Sequence, residues 1–406
     1  MIPVDDILEA LDLSRAEPGS GFLEALFARF NARVPFENAS KILRNAEIAD
    51  PQAKPRTPEI FWNDHLERGA GGTCFARVAA FDALVSALSF RTRRLLGRVA
   101  CEGDHAALMI DTPAGESIAD VGFPLPALIP ARPGHVETPL GGLEIEPTAR
   151  GFAISWKDGV PEGPRSIEVF LAKVEQERFL DLWRQTFAPS AHFLQAVSIR
   201  RDLGNRIVSF AGGEIRVDDL HSRLRVPVAA HAEAPLSELF GIDRELLSRA
   251  FEVAGREAPE GVDATLTAYL EVASTPGSAF DAIATREGFG RLIQGMAEIV
   301  FSETTPSGFR LTLAAPGRAG EPEARIQEDI SPEPSARRIF VERRTGQSAL
   351  HSAYRVEERA GRTYLIREAT LSGAREDLLR NDSLRGRLAG TLAVDLLAWA
   401  RMLVSQ

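Results

Sequence analysis

GAGGTCFARVAAF, residues 69–81, sets one of the chain's two cysteines after a glycine pair and a threonine, and directly before an apolar run. Phe75, Val78, Phe81, Leu84, Val85 and Leu88 recur at helical spacing with alanines between them, which predicts a largely buried helix. Thr73 is a fair N-cap, and Gly71 and Gly72 permit a tight entry in which backbone approaches backbone. Cys74 then opens the helix, where free N–H groups and the helix dipole favour a thiolate. By default a lone cysteine is a small core hydrophobe, so its surroundings must decide between the two roles. Arg77, Asp82 and Ser86 interrupt the run. Asp82 reads as the point where the stripe meets solvent.

A thiolate nucleophile needs a base, and the chain holds seven histidines. His105 begins HAALMID, a strand-like run, followed by the turn residues TPAG and a second strand, ESIADVGF. If the turn closes Asp111 against Glu116, Ala107 faces Asp120 and His105 faces Gly122. His105 and Asp120 are then diagonal neighbours on one face of the hairpin. A carboxylate beside an imidazole fixes its tautomer and stabilises the charged ring. A surface histidine near a surface aspartate is the competing reading of the same two residues.

At 406 residues the chain is long for one core, so two or three units are expected. A net charge of −10 argues against nonspecific binding to nucleic acid or to an anionic membrane. No apolar run approaches the roughly 18 residues of a membrane-spanning helix. The acidic, amphipathic start MIPVDDILEALDLSRAEPG is wrong for a signal peptide. Two cysteines cannot build a disulfide framework, which points to a reducing cytoplasm. Without a Cys/His cluster at ligand spacing, no metal site is expected.

GGTCF, HAALMID and ADVGF, preceded by VPFENAS at residues 34–40, resemble the arylamine N-acetyltransferase family. FLDLWRQTFAPSAHFLQAVSIRR and APLSELFGIDRELL resemble its third domain, so the likeness covers residues 1–256. It implies an α+β fold with a helical domain (1–90), a β-barrel (91–190) and an α/β lid (191–256). At their junction it implies a papain-like core of Cys74, His105 and Asp120. The resemblance also nominates Phe36, Thr73 and Phe123 as substrate-contact positions; Phe36 reads first as core and only then as pocket. Cys101 reads as packing, since no acid or base partner accompanies it. Ala70 stands where the family commonly has arginine, with Arg68 as a substitute, and Ala76 stands where Glu or Gln is usual. Val78 replaces a common Asn and Pro124 a glycine. These departures reshape the wall of the site without removing a catalytic group.

Beyond Gly255, REAPEGVD reads as a linker over about 257–264. TLTAYLEVA then alternates, with Leu266, Ala268, Leu270 and Val272 on one face. A helix around 278–294, six strand-like runs and a long helix over 383–404 complete the order. That order resembles the helix-grip fold of START-like and polyketide-cyclase-like proteins over residues 265–406. A helix-grip unit would supply an apolar chamber or, equally, a stabilising module.

Three functions stay open. The first is acyl transfer from an acyl-CoA thioester through a Cys74 acyl-enzyme to a small amine acceptor, with ping-pong kinetics and no bound cofactor. The second is an amide synthase that receives a bulky chain from an acyl carrier protein. The third is a non-enzymatic ligand-binding protein.

Overall fold

A computed structural model of the chain describes residues 2–123, 125–157, 165–189, 191–227, 233–255, 264–293, 298–315, 324–345, 348–359, 361–371, 392–400 and 402–403. The chain divides into two compact units, Met1–Leu220 with Val228–Glu260, and His221–Pro227 with Gly261–Gln406.

The first unit opens with helices α1 (Val4–Ala10), α2 (Ser20–Arg33), α3 (Ala39–Glu47), α4 (Pro58–Arg68) and α5 (Cys74–Ala87). The short strand β1 (Phe36–Glu37) lies between α2 and α3. The expected buried helix is α5, which begins at Cys74. Ten of its fourteen residues are buried, because apolar side chains surround it and neighbours pack on every side. Phe30 of α2 touches Phe81 of α5 and Trp62 of α4, with ring centroids 4.9 and 5.9 Å away.

A sheet of eight antiparallel strands follows: β2 (Thr92–Arg98), β3 (Glu102–Thr112), β4 (Gly115–Ala119), β5 (Ile129–Pro130), β6 (Gly134–Thr138), β7 (Gly141–Pro147), β8 (Gly151–Trp156) and β9 (Ser166–Phe170). Their order, β5-β4-β3-β2-β9-β8-β7-β6, makes a barrel-like curl. Strand β3 is apolar on both faces for a structural reason. Ala106, Leu108 and Ile110 pack towards α5, while Ala107 and Met109 join the barrel core with Ile118, Leu143 and Ile154. Helix α6 (Gln176–Gln185) leaves the barrel and lays Phe179 and Trp183 on Phe75, so it belongs to the helical core. Strands β10 (Ile199–Asp202), β11 (Arg206–Ala211) and β12 (Glu214–Asp219) extend β1 into a second antiparallel sheet. Helices α7 (Glu233–Phe240) and α8 (Arg244–Ala254) follow it, and Phe251 packs on Phe210.

The second unit is an antiparallel sheet with helices. β13 (Ser222–Pro227) pairs with β14 (Ala264–Val272), which begins one residue earlier than the alternation suggested. The linker residues 256–263 lie outside the described residues. The expected helix near 278–294 is two, α9 (Pro276–Asp281) and α10 (Arg286–Ile293). They separate because Thr285 Oγ1 accepts from Gly288 N–H and starts a new turn. Strands β15 (Glu298–Thr305), β16 (Gly308–Ala315), β17 (Ala324–Glu333), β18 (Arg338–Thr345), β19 (Ser348–Arg359) and β20 (Arg362–Leu371) complete the order β13-β14-β20-β19-β18-β17-β16-β15. Residues 392–400 are helical and bury Leu392, Leu396 and Trp399. Leu384 and Leu388 fall outside the described residues. Trp399 Nε1–H donates to Ala279 O at 2.9 Å, and its ring meets Tyr354 at 5.9 Å. The Tyr354 hydroxyl and the Arg367 guanidinium both bond Asp395. His351, three residues from Tyr354, is exposed on the other face.

Candidate active site

The PFEN and GGTC segments are neighbours. Glu37 N–H donates to Gly72 O at 3.2 Å, and Phe36 and Gly72 form an isolated parallel bridge. This contact explains Gly71: a Cβ there would stand 1.7 Å from Pro35 O. Glu37, fully buried, accepts from Ser40 N–H, Ser40 Oγ–H and Gly71 N–H, so its carboxylate pins the turn before α5. Asn38 holds the segment 193–198 through Phe193 O, Ala196 O and Ser198 N. The Phe36 ring is half-buried and meets Phe193 edge-on at 5.4 Å.

Thr73 occupies the N-cap position with extended backbone, but its side chain makes no capping bond. Cys74, the first helical residue, is 6% exposed, and its Sγ lies 3.8 Å from Asp104 O. The hairpin carries the expected register, with Asp111 opposite Glu116 and Leu108 opposite Ala119. His105 Nε2 and Asp120 Oδ2 are 2.7 Å apart, both buried. Asp120 Oδ1 accepts from the Gly122 and Phe123 N–H groups at 2.9 and 2.8 Å, which satisfies both oxygens. With Nε2 committed to Asp120, Nδ1 is the nitrogen left for Cys74, a neighbour of the ring. Burial alone would lower the pKa of His105. The Asp120 charge and hydrogen bond, with the adjacent Cys74, more than offset this and raise it to about 10. Phe123 packs its ring edge-on against His105 at 6.2 Å and is buried in the barrel core.

Several residues that hold this arrangement carry no obvious mark in the sequence. A Cβ on Gly122 would stand 2.4 Å from Cys74 Cβ, 2.8 Å from Cys74 Cα and 3.2 Å from His105 Cε1. Only glycine lets the three segments meet. Asp104 accepts from the N–H groups of Val99, Ala100 and Cys101, all at 2.8 Å, and so shapes the turn whose carbonyl faces the thiol. Arg77 is fully buried over the Phe30 ring and donates to Val34 O, Val121 O and Asn31 Oδ1. Burial pulls its pKa down to about 9.

Arg68 does not replace the arginine missing at Ala70, because it is half-exposed and lies 3.5 Å from Asp243. Arg56, nearly fully buried, donates to Gly71 O and pairs with Asp64 at 3.0 Å. Cys101 is exposed rather than packed, and slight burial and Asp104 raise its thiol pKa. Asp82 is half-buried and fully partnered, with Thr92 Oγ1 at 2.6 Å and Arg94 Nε at 2.8 Å. His65 is neutral: burial drops its pKa to about 4, and Nδ1 bonds Ala70 O. Among the described residues no group of three His, Cys, Asp or Glu side chains is placed to hold a metal. No helix among them is long and apolar enough to cross a membrane.

A thiol at a helix start, an imidazole from a strand of the curled sheet and a buried carboxylate bonded to that imidazole lie side by side. Residues 21–139 match the N-acetyltransferase family. The arylamine N-acetyltransferase of Escherichia coli K12 is 31% identical over 108 residues, 25% of this chain and 36% of that protein. The chain thus spans about a third of the length of that relative. The arylamine N-acetyltransferase structure from M. tuberculosis superposes with a TM-score of 0.54 at 20% identity, over 62% of this chain and all of that one. The Mycobacterium marinum enzyme in complex with CoA gives 0.53 at 19% identity, over 62% and 99%. A Bacillus cereus enzyme described as having a Cys-His-Glu triad gives 0.51 at 17% identity, over 60% and 100%. By matched sequence over residues 21–139 and by fold, the first unit is similar to the arylamine N-acetyltransferases.

Proposed function

We propose that the first unit moves an acyl group from a thioester to an amine through a covalent intermediate on Cys74. The observation that carries this reading is the buried His105–Asp120 pair against the sulfur of the first residue of α5. The charged ring beside the sulfur supports a thiolate. Cys74 Sγ attacks the thioester carbonyl, the donor C–S bond breaks, and His105 gives its proton to the departing thiolate. The amine nitrogen then attacks the acyl-enzyme, Cys74 leaves, and His105 receives the amine proton. In this reading the Cys74 backbone N–H, a donor at the helix start, holds the oxyanion that develops on the carbonyl. The donor in this reading is an acyl-CoA, in keeping with a family member whose structure holds CoA. The second unit we read as a helix-grip body, on the strength of its element order and the buried face of helix 392–400.

Intact-mass measurement after exposure to acetyl-CoA tests the proposal. One acetyl group should appear, map to the peptide holding Cys74, and persist in Cys101→Ser. An adduct on Cys101, or none from any thioester, would overturn it.

A further inference from the structure

Gly72 and Thr73, the two residues before Cys74, line a small open-mouthed pocket of about 10 Å³, the size of one water-sized or carboxylate-oxygen-sized group. Lys41 and Arg44, one turn apart on α3, and Lys54 and Arg56, from the segment between α3 and α4, line it. Ala76, at the start of α5, lines it as well. Trp183 and Phe187 complete the lining, so four cations converge between small side chains and two aromatic rings.

Their present partners leave most of that charge uncompensated. Lys41, 5% exposed, donates to Thr186 Oγ1 at 2.8 Å. Arg44 donates to the carbonyls of Lys54 and Ala53 at 2.9 and 2.6 Å, and Lys54 to Asn45 Oδ1 at 2.7 Å. All of these acceptors are neutral. Among the described residues Asp64, on Arg56, is the carboxylate in ion-pair contact with the four. Glu47, also within reach of Arg44, pairs with Arg249. Burying an ammonium without a counter-charge is costly. Burial accordingly draws Lys41 down to about 8, and Arg44 is held low by burial and then by Arg56. The pocket is organised for a negative group that the chain itself does not supply.

We infer that this pocket receives a carboxylate carried by one of the two substrates, the acyl group or the amine acceptor. The inference rests on the reading of Cys74 as acyl acceptor. Gly72, Thr73 and Ala76, which bracket Cys74 in the chain, line the pocket, so the carboxylate belongs to a group attached to the sulfur or approaching it. The phosphates of a pantetheine thioester sit at the far end of a long arm and fit this position less well.

Two rate comparisons separate the sources. The first measures acylation of Cys74 by succinyl-CoA against acetyl-CoA, which share the same phosphates. The second measures release of the acetyl-enzyme to 4-aminobenzoate against aniline. The wild-type protein should favour the acid-bearing member in one comparison. Lys41→Met and Arg44→Gln should each cut that preference about tenfold, the scale of a charge-assisted hydrogen bond, while Arg44→Lys keeps it. Unchanged preferences in both variants would overturn the inference. So would an equal loss with acetyl-CoA and succinyl-CoA, which would assign the pocket to the donor's phosphates or to folding. If neither thioester acylates the wild-type protein, the acyl-transfer reading falls and takes this one with it.

Discussion

Asp120→Asn should lower the rate of acyl transfer by a factor of about 10³–10⁴, the loss seen when a triad carboxylate becomes an amide. The carboxylate accepts from His105 Nε2, at 2.7 Å, and from two backbone N–H groups on its other oxygen. An amide of the same shape can keep the second set only by turning its NH₂ towards His105. The imidazole must then present a bare Nε2 to that amide, so its proton moves to Nδ1, the nitrogen that should accept from Cys74. Geometry survives and the tautomer does not. The same substitution should change the pH dependence of stability. His105 has a folded pKa of about 10 against an ordinary 6.5, so its contribution is fully present below 6.5 and lost as pH rises through 10. Urea unfolding at pH 6, 8 and 10 should show the wild-type protein ahead of Asp120→Asn by most at pH 6, with the gap narrowing as pH rises. A gap that is flat or grows with pH would contradict the assigned charge on His105.

The readability of this site in the sequence follows the range of the forces that build it. The His105–Asp120 pair is legible because a short hairpin fixes its own register: once Asp111 opposes Glu116, the strand period places both side chains on one face. Cys74 at a helix start is legible from glycines, threonine and an apolar run within twenty residues. Residues whose reason lies on a distant segment are not. Arg77 reads only as an interruption of an apolar helix, because its acceptors, Val34 O and Val121 O, are brought to it by chain more than forty residues away. Arg68 was the nearest arginine to the gap at Ala70, but α4 ends at Arg68, and the approach of Gly69 to Gly241 directs that end towards Asp243. Arg56 comes from the stretch before α4 and reaches the glycine pair instead. Cys101 reads as packing for want of an acid or base partner, but the turn that Asp104 ties together lifts it into solvent. Lys41 and Lys54 carry no motif in the sequence; their convergence appears only in the folded chain.

Gly122→Ala should slow acylation of Cys74 at least about 100-fold while leaving the fold intact, since a displacement of about 1 Å at reacting atoms costs that much. The added methyl has nowhere to go. It would stand 2.4 Å from Cys74 Cβ and 2.8 Å from Cys74 Cα, and 3.2 Å from the imidazole carbon between the two ring nitrogens. The first two neighbours belong to the backbone and root of a buried helix and cannot swing aside, so the strand end carrying Gly122 must retreat. That retreat drags the Gly122 and Phe123 N–H groups from Asp120 Oδ1 and opens the space between sulfur and imidazole. Backbone strain plays no part, because Gly122 is not among the glycines with positive φ. Overpacking of this kind costs about 1–3 kcal/mol of stability. Gly115→Ala provides the contrast. Gly115 has φ +115 with nothing within 4 Å of its added Cβ, so alanine there should destabilise the hairpin turn by about 1–3 kcal/mol through strain alone. Unfolding midpoints and single-turnover acylation, measured on both variants, separate the two effects. The alanine at 115 should lose stability and keep its rate, whereas the alanine at 122 should lose a similar amount of stability and nearly all of its rate. Wild-type acylation by Gly122→Ala would mean that the thiol and imidazole do not work at the distance this glycine sets.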